Sequence, residues 1–428
     1  MTRPLRIAIA GLGTVGTGVV RIVQTQSEML QARAARRVEI VAVSARSRHR
    51  DRGIDLTSCD WEDDPVALAR RDDVDLVVEV MGGENGPAKV LTQTAIANGK
   101  HVVTANKAMM ARHGQGLAEL AEANGVALRF EAAVAGGIPV IKALSEGLAA
   151  NSITRVLGVL NGTCNYILTE MERTGAVYED VLGDAQRLGY AEADPTFDVG
   201  GHDAAQKLAL LTAIAFGTQV DYDSLTIEGI ERVSLADIEH AAELGYRIKL
   251  LGVAQMNDGG IESRMQPCLV PGYSLIGGLE GVTNMVVIEG DAVGRVVLAG
   301  PGAGAGPTAS AIMGDVIDVA WGLIMPVFGH PVATLTSSNP AIATSEAAYY
   351  LRFLLTDAPG TLAKVAAALG EADVSINRMR QVQHEGGAAP VLIVTHKTGR
   401  AALDSALERI AKLDVSLKAP VALRIEDV

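Results

Sequence analysis

The chain opens with LRIAIA (residues 5–10) followed at once by Gly11-Leu12-Gly13-Thr14-Val15-Gly16. No other stretch constrains the fold as strongly. A short apolar-rich run suits a strand covered on both faces, as in a parallel sheet. Glycines at this spacing permit a tight turn, close approach of backbone to a pyrophosphate, and close packing of helix on strand. The helix that follows turns its partial positive charge toward the phosphates. A plain glycine turn has the same spacing, but the position between a strand and a helix favours a dinucleotide site. Gly11, Gly13, Thr14, Val15 and Gly16 are therefore candidate cofactor residues.

The pattern continues in kind. VEIVAVSA (38–45), VDLVVEVMGG (74–83), KHVVTANK (100–107) and VALRFEAAVAGG (126–137) read as further strands, separated by helical stretches such as 88–98 and 116–124. Such alternation predicts a doubly wound parallel sheet whose ligands bind beyond the carboxyl ends of the strands. An NAD-preferring site usually places an acid at the end of its second strand. Here Ser44-Ala45-Arg46 stands there, with Arg48, His49 and Arg50 just after. Missing acid and clustered arginine favour a 2′-phosphate, hence NADP(H) over NAD(H), with Arg46 the best candidate. A solvated basic loop is the other reading. Lys107 falls at a strand end, where it is either a site residue or an ordinary lysine at a helix start.

Composition excludes several classes. The chain has 428 residues, 48% hydrophobic and 20% charged, as in a well-buried globular protein of two or three domains. A net charge of −13 argues against general binding to nucleic acid or anionic membrane. Cys59, Cys164 and Cys268 are far apart and show no metal or disulfide spacing, which points to a reducing compartment. No long apolar region of a signal peptide precedes the first strand, and the run 208–216 is too short to span a bilayer. A cytoplasmic location is expected.

The stretch DPTFDVGGHDAAQKLALL (194–211) is where chemistry is expected. Asp194 precedes a proline and is pushed to extended backbone. Gly200 and Gly201 close the irregular segment, and a helix follows over 203–216. On that helix Lys207 shares a face with Asp203, Leu210, Leu211 and Ile214. A solvated face would carry more polar residues. A half-buried ammonium needs partners, and a lysine with one acid on its own helix is a good general acid/base candidate. A structural ion pair is the competing reading.

AQRLGYAEADPTFDVGGHDAAQK (185–207) resembles the homoserine dehydrogenase signature at Ala185, Gly189, Asp194-Pro195, Asp198, Gly201, Asp203 and Lys207. The resemblance extends to the glycine loop, TANK (104–107), FEAAVAGGIP (130–139), NGTCNYIL (161–168) and GPGAGAGPTASAIMGD (300–315). It implies reduction of L-aspartate 4-semialdehyde to L-homoserine with NAD(P)H, on the route to threonine, methionine and isoleucine. It further implies that Lys207 is the acid/base, with Asp203 its companion and Lys107 near nicotinamide and substrate. Glu192 would hold the substrate's amino group, with Tyr190, Asp198 and Gly162 lining that pocket. Gly189, Gly302 and Gly304 would approach the cofactor. The turn at Glu131, Val134, Gly136 and Ile138 would be a monovalent-cation (sodium) site of one carboxylate and backbone carbonyls. A lysine held charged by Asp203 is suited to give a proton, which favours the reducing direction.

After the linker TSSNPAIATSE, the last eighty or so residues read βαββαβ: AYYLRFLLTD, a helix over 361–370, VSINRMRQV, the turn HEGGAA, PVLIVTHKT, a helix over 400–413 and a strand over 420–426. That order is ferredoxin-like. DAPGTLAKV and VSINRMRQ resemble the ACT family of regulatory modules, which implies pairing and an amino-acid effector, with threonine the natural candidate. A purely structural or dimerising role is the alternative.

The expected architecture is thus α/β. A Rossmann-type domain covers 1–135 and is completed by about 305–340. An α+β substrate and dimerisation domain covers 136–304, and an ACT-like domain covers 347–428. A homodimer or homotetramer is expected, and no kinase-like segment precedes the first strand. Another NAD(P)-linked dehydrogenase, or a non-catalytic amino-acid-binding regulator on the same fold, are the readings to be separated from this one.

Overall fold

In the computed structural model of the chain, residues 3–341, 345–381 and 388–428 are described. Residues 384–387 of the expected turn HEGGAA, and 342–344 of the linker, lie outside them.

The first sheet is parallel and contains β1 (Leu5–Ala10), β2 (Val38–Ser44), β3 (Asp60–Trp61), β4 (Leu76–Glu79), β5 (His101–Thr104) and β6 (Leu128–Arg129). Their order is β3-β2-β1-β4-β5-β6, so the chain reverses direction between β1 and β4 and opens a crevice there. β4 is buried at every position, its apolar Leu76–Val78 and also Glu79, whose carboxylate accepts the Thr104 hydroxyl at 2.6 Å. The helix Ala305–Ala320 returns to this sheet. Its Ile312, Met313 and Val316 share one apolar core with Val19 and Val20 of the first helix, Thr14–Thr25. A Cβ at Gly18 would stand 2.9 Å from the Ala305 carbonyl, which is why the two helices can approach so closely.

Two expected strands are much shorter than their patterns. The run over 100–107 ends at Thr104, because Asn106 accepts the Met109 N–H and starts the helix Lys107–Asn124. The run over 126–137 is extended only at Leu128–Arg129 and then turns. The cause is Glu131: its carboxylate accepts the N–H groups of Ile141 and Lys142 at 2.9 and 2.8 Å and draws the chain into a compact loop.

The second sheet is mixed and ten-stranded. It begins with β7 (Ile153–Val159), continues through the short β8 (Thr226–Ile227) and the long hairpin β9 (Tyr246–Asn257) and β10 (Gly260–Pro271), and adds β11 (Thr283–Gly290) and β12 (Gly294–Pro301). The C-terminal strands β13 (Ala348–Thr356), β14 (Ile376–Gln381), β15 (Ala388–Thr395) and β16 (Val421–Ile425), with helices Thr361–Gly370 and Arg400–Ala411, form the expected βαββαβ unit. This unit is not a separate bead. β16 pairs with β13 on one side and, in parallel, with β10 on the other (Cys268↔Arg424, Leu269↔Ile425). Beside that seam the buried Glu426 takes Arg264 at 2.8 Å, Arg424 at 3.0 Å and Arg155 at 2.5 Å. A second buried anchor is Asp237, which accepts Arg352 Nε at 2.6 Å and the Tyr350 hydroxyl at 3.2 Å.

Candidate active site

The helix His202–Phe216 starts after Gly201, which takes a left-handed φ of 82°. It is buried from Asp203 to Ile214, so no face of this helix is a solvated one. Lys207, with its side chain 11% exposed, is thus held inside protein. Its Nζ donates to Asp203 Oδ2 at 2.7 Å and to the Leu160 carbonyl at 2.8 Å. An ammonium has three donors, so one remains for the cavity that Lys207 lines. The other carboxylate oxygen of Asp203 lies 3.1 Å from Lys107 Nζ, delivered by the helix that β5 leads into. Asn161 completes the cluster. Its Oδ1 caps the helix Gly162–Thr174 by accepting the Cys164 N–H, and its Nδ2 donates to Asp198 Oδ1 at 2.8 Å and Asp203 Oδ2 at 2.9 Å.

The electrostatics separate the two acids. Burial alone pushes the Asp203 carboxyl up, but Lys207 and then Lys107 outweigh it and hold the group far below the usual carboxylate range. Asp198 goes the other way: burial and the negative Asp203 push it up. Burial likewise pushes the Cys164 thiol far up, so no thiolate nucleophile is offered.

These groups line a cavity of about 670 Å³, a size suited to a small ligand with part of a cofactor. Gly162, Gly189, Tyr190 and Glu192 line it too, as do Val15, Gly302 and Gly304. The 189–192 loop is tethered through its backbone: Thr163 Oγ1 donates to the Tyr190 carbonyl at 2.6 Å and Gln186 Nε2 to the Glu192 carbonyl at 3.0 Å. The Tyr190 ring rests on Tyr166 at 5.0 Å. Among the described residues the Glu192 carboxylate has no hydrogen-bond or ion-pair partner, so it is available to a ligand cation.

A second cavity, about 650 Å³, is lined by Gly11, Gly13, Arg46 and Arg50 and shares Val80, Met81 and Gly82 with the first. Together they form a groove across the carboxyl ends of β1, β2 and β4, where a parallel sheet binds ligands. Gly11 has φ 105°, and a Cβ there would lie 2.7 Å from the Val80 carbonyl. A Cβ at Gly16 would lie 1.9 Å from the Gly11 carbonyl, so Gly16 packs the helix onto the loop and faces neither cavity. A Cβ at Gly13 would meet nothing within 4 Å, which leaves that backbone open to a ligand. Thr14 opens the helix and lines neither cavity.

Comparison with known proteins decides the family. The homoserine dehydrogenase family model matches residues 139–317, the homoserine dehydrogenase NAD-binding domain model 11–131, and the ACT domain model 349–415. The chain belongs to the homoserine dehydrogenase family. Homoserine dehydrogenase of Neisseria gonorrhoeae is 43% identical over 436 residues, covering 100% of this chain and 99% of that one. The Pseudomonas aeruginosa enzyme is 41% identical with full coverage of both. The crystal structure of a homoserine dehydrogenase from Thiobacillus denitrificans superposes with a TM-score of 0.94 at 40% identity, over 99% of each chain. A hyperthermophilic archaeal homoserine dehydrogenase in complex with NADPH gives 0.65 at 26% identity, over 75% of this chain and 99% of that one. The chain is accordingly an NAD(P)-dependent oxidoreductase with a Rossmann-type domain, a mixed-sheet domain and an ACT domain. Among the described residues no helix is long and apolar enough to cross a membrane.

For a homoserine dehydrogenase the 131–138 loop has a notable geometry. Both Glu131 carboxylate oxygens already accept backbone N–H groups. The Glu131 and Ile138 carbonyls accept the N–H groups of Val134 and Val140. Val134 and Gly136 are buried, and among the described residues their carbonyls accept no hydrogen bond. Ala135 and Gly136 take left-handed φ values of 56° and 51°, which bends the loop sharply. Unpartnered carbonyls in a tight bend suit a hard cation.

Among the residues that the sequence did not single out for a role at these sites are Asn161, Thr163, Arg52 and Asn284. Asn161 precedes a helix and is legible as a cap, but its second hand on two aspartates is not. Arg52 is a strap for the glycine loop, donating to the Leu12 carbonyl at 3.1 Å and lying over Trp61.

Proposed function

We propose that the chain catalyses the reversible, NADPH-preferring reduction of L-aspartate 4-semialdehyde to L-homoserine, in the formation of threonine, methionine and isoleucine. The observation that carries this reading is the Asp203 carboxylate gripped by Lys207 and Lys107 in the cavity that Val15, Gly302 and Gly304 also line. A bound nicotinamide supplies the hydride that the aldehyde carbon takes up. Lys207 gives its remaining N–H proton to the carbonyl oxygen as the C=O π pair moves onto it, and the amine is reprotonated from solvent. Lys107 faces the same oxygen and steadies its developing charge. Glu192 receives the substrate's ammonium, with Tyr190, Asp198 and Gly162 lining that pocket and Gly189 approaching the cofactor. A positioned proton donor is worth about 10²–10⁴-fold in rate.

Arg46, aided by Arg50, supports NADPH preference through a 2′-phosphate, and the archaeal relative in complex with NADPH supports it further. Gly11 and Gly13 would meet the pyrophosphate end, with Val15 in the adjoining cavity and Thr14 and Gly16 supporting the loop by opening the helix and packing it. Glu131, through its carboxylate, and the backbone carbonyls of Val134, Gly136 and Ile138 would hold a sodium ion. In the ACT domain a cavity of about 350 Å³ beside the turn Asp357-Ala358-Pro359 suits an amino-acid effector, for which threonine is the candidate. A homodimer or homotetramer in the cytoplasm completes the reading. The domain limits are taken as 1–135 with about 305–340, 136–304 and 347–428.

The test is NADPH consumption with L-aspartate 4-semialdehyde, followed by ultraviolet absorbance with and without threonine. Turnover is expected. Its absence in folded, NADPH-binding protein overturns the reading, and threonine without effect overturns only the regulatory part.

A further inference from the structure

Lys249 stands on β9 and is only 3% exposed. Among the described residues no carboxylate pairs with it directly. Burial, and after it Arg247, push its ammonium down to about 8, while Glu172 and Glu280 act in the opposite sense. Burying an ammonium without a counter-ion is unfavourable, and an apolar residue would suit a plain sheet core better.

Its bonds show what the lysine does. Nζ donates to the Leu279 carbonyl and, at 3.0 Å, to Asn165 Oδ1. Asn165 lies on the helix Gly162–Thr174, and its Nδ2 donates to the Gly281 carbonyl at 2.8 Å and to the Leu279 carbonyl at 3.4 Å. A lysine can only donate, so it fixes the direction of the amide: Oδ1 meets Nζ, and Nδ2 meets the two carbonyls. Two side chains thereby clasp the segment 279–281 to the helix. The next residue is Val282, whose carbonyl would lie 2.6 Å from a Cβ at Gly162, so the two backbones touch. Gly162 and Val282 both line the main cavity, and Lys249 does not. Gly162 also follows Asn161, which donates to Asp198 and Asp203. Arg247, on the same face of β9, repeats the stitch nearer solvent. It meets Glu172 of the same helix at 3.1 Å and Glu280 at 3.2 Å.

We propose that Lys249 is a positioning residue for the dehydrogenase reaction: by clasping Leu279 and Asn165 it holds Val282 against Gly162 and sets that wall of the cavity. This rests on the reading of the cavity as the site of semialdehyde reduction. Without Nζ, Asn165 Oδ1 becomes a buried acceptor with no donor, and its amide is free to turn away from Gly281. The segment stays attached through Arg247, but its fit against Gly162 is no longer fixed. A wall displaced by about 1 Å is enough to disturb a reacting geometry.

The experiment uses the full-length protein saturated with NADPH and titrates L-homoserine by calorimetry, a pair that cannot react because the cofactor is already reduced. KM and kcat for semialdehyde reduction are measured alongside. Wild type, Lys249→Met, Asn165→Ala and the double variant are compared, each first checked for a cooperative melting transition. Lys249→Gln, which keeps an N–H donor, replaces the Met variant if that one does not fold. The homoserine Kd and the semialdehyde KM are expected to rise about tenfold in each single variant, with NADPH affinity close to wild type. The double variant should be no worse than either single one, because both side chains act through one clasp. A merely structural role would lower the active fraction, and so kcat, while leaving Kd and KM unchanged. That outcome, or losses that multiply in the double variant, overturns the proposal. A wild type that binds homoserine with the expected losses in the variants, yet reduces no semialdehyde, overturns the proposed reaction instead. A wild type that binds no homoserine overturns both.

Discussion

Lys107 and Lys207 hold opposite oxygens of a single buried carboxylate, at 3.1 Å from Asp203 Oδ1 and 2.7 Å from Oδ2. The two lysines come from different domains of the fold, one at the end of β5 and one on the helix His202–Phe216. Replacing Asp203 by Asn keeps the shape and removes the anion that both ammoniums face. Breaking a buried pair costs about 3–5 kcal/mol, and the partial exposure of Lys107 places the expected loss near the lower end, about 3 kcal/mol by urea unfolding. Because the Asp203 carboxyl is depressed, its stabilisation is present above the ordinary carboxyl pKa of 3.8 and is lost as pH falls below it. The Asn variant should lack that acid-side loss. An unchanged urea midpoint at neutral pH would contradict the account.

Asn161 does two jobs that substitution can separate. Asn161→Asp keeps an oxygen to cap Cys164 but loses the amide that bridges Asp198 and Asp203, and sets a third carboxylate beside them. Asn161→Ala loses both functions. The Ala variant should lose about 1 kcal/mol from the cap alone. Both variants should lose roughly tenfold or more in kcat. Full activity in the Asp variant would show that the bridge is dispensable.

Arg46 is expected to read the 2′-phosphate. A hydrogen bond to a charged group contributes about 1.5–3 kcal/mol, so Arg46→Ala should lower kcat/KM with NADPH by about 10- to 100-fold and leave NADH nearly unchanged. Equal losses with both cofactors would assign Arg46 to the loop's structure instead.

Glu131 gives a pH signature of opposite sign to Asp203. Burial, followed by the nearby Asp315, pushes its carboxyl up to about 7, and burial pushes Asp315 to about 6. Raised carboxyls bind their protons more tightly in the folded chain, so their contribution to stability is full below pH about 4 and is lost as pH rises toward 7. Glu131→Gln should flatten the decline in urea midpoint between pH 4.5 and 7. The slope is the readout, since the substitution also weakens the bonds to Ile141 and Lys142. A slope identical to wild type would contradict this assignment.

How far the sequence carried the reading follows from the physics of each element. The glycine loop and the helix holding Lys207 are local patterns, and both are found where periodicity and spacing put them. The strand expected over 126–137 failed because Ala and Val look alike in an extended strand and in a buried turn; what bends the chain is one carboxylate reaching residues ten and eleven positions away. The parallel pairing of β16 with β10 joins segments far apart in sequence, and no local signal announces such a partner. In the site, Lys207 stood out as a charge in an apolar run. Asn284 did not, because a polar residue at a strand start is ordinary until its burial and lack of partner are known.

The central claim is that Lys207 donates the proton. The most direct measurement is kcat for semialdehyde reduction by Lys207→Ala and Lys107→Ala, alongside calorimetric NADPH affinity. The account predicts a loss of about 10²–10⁴-fold in kcat for Lys207→Ala with NADPH affinity close to wild type, and a smaller loss for Lys107→Ala. A Lys207→Ala enzyme that turns over like wild type, or one outpaced in its loss by Lys107→Ala, would contradict it.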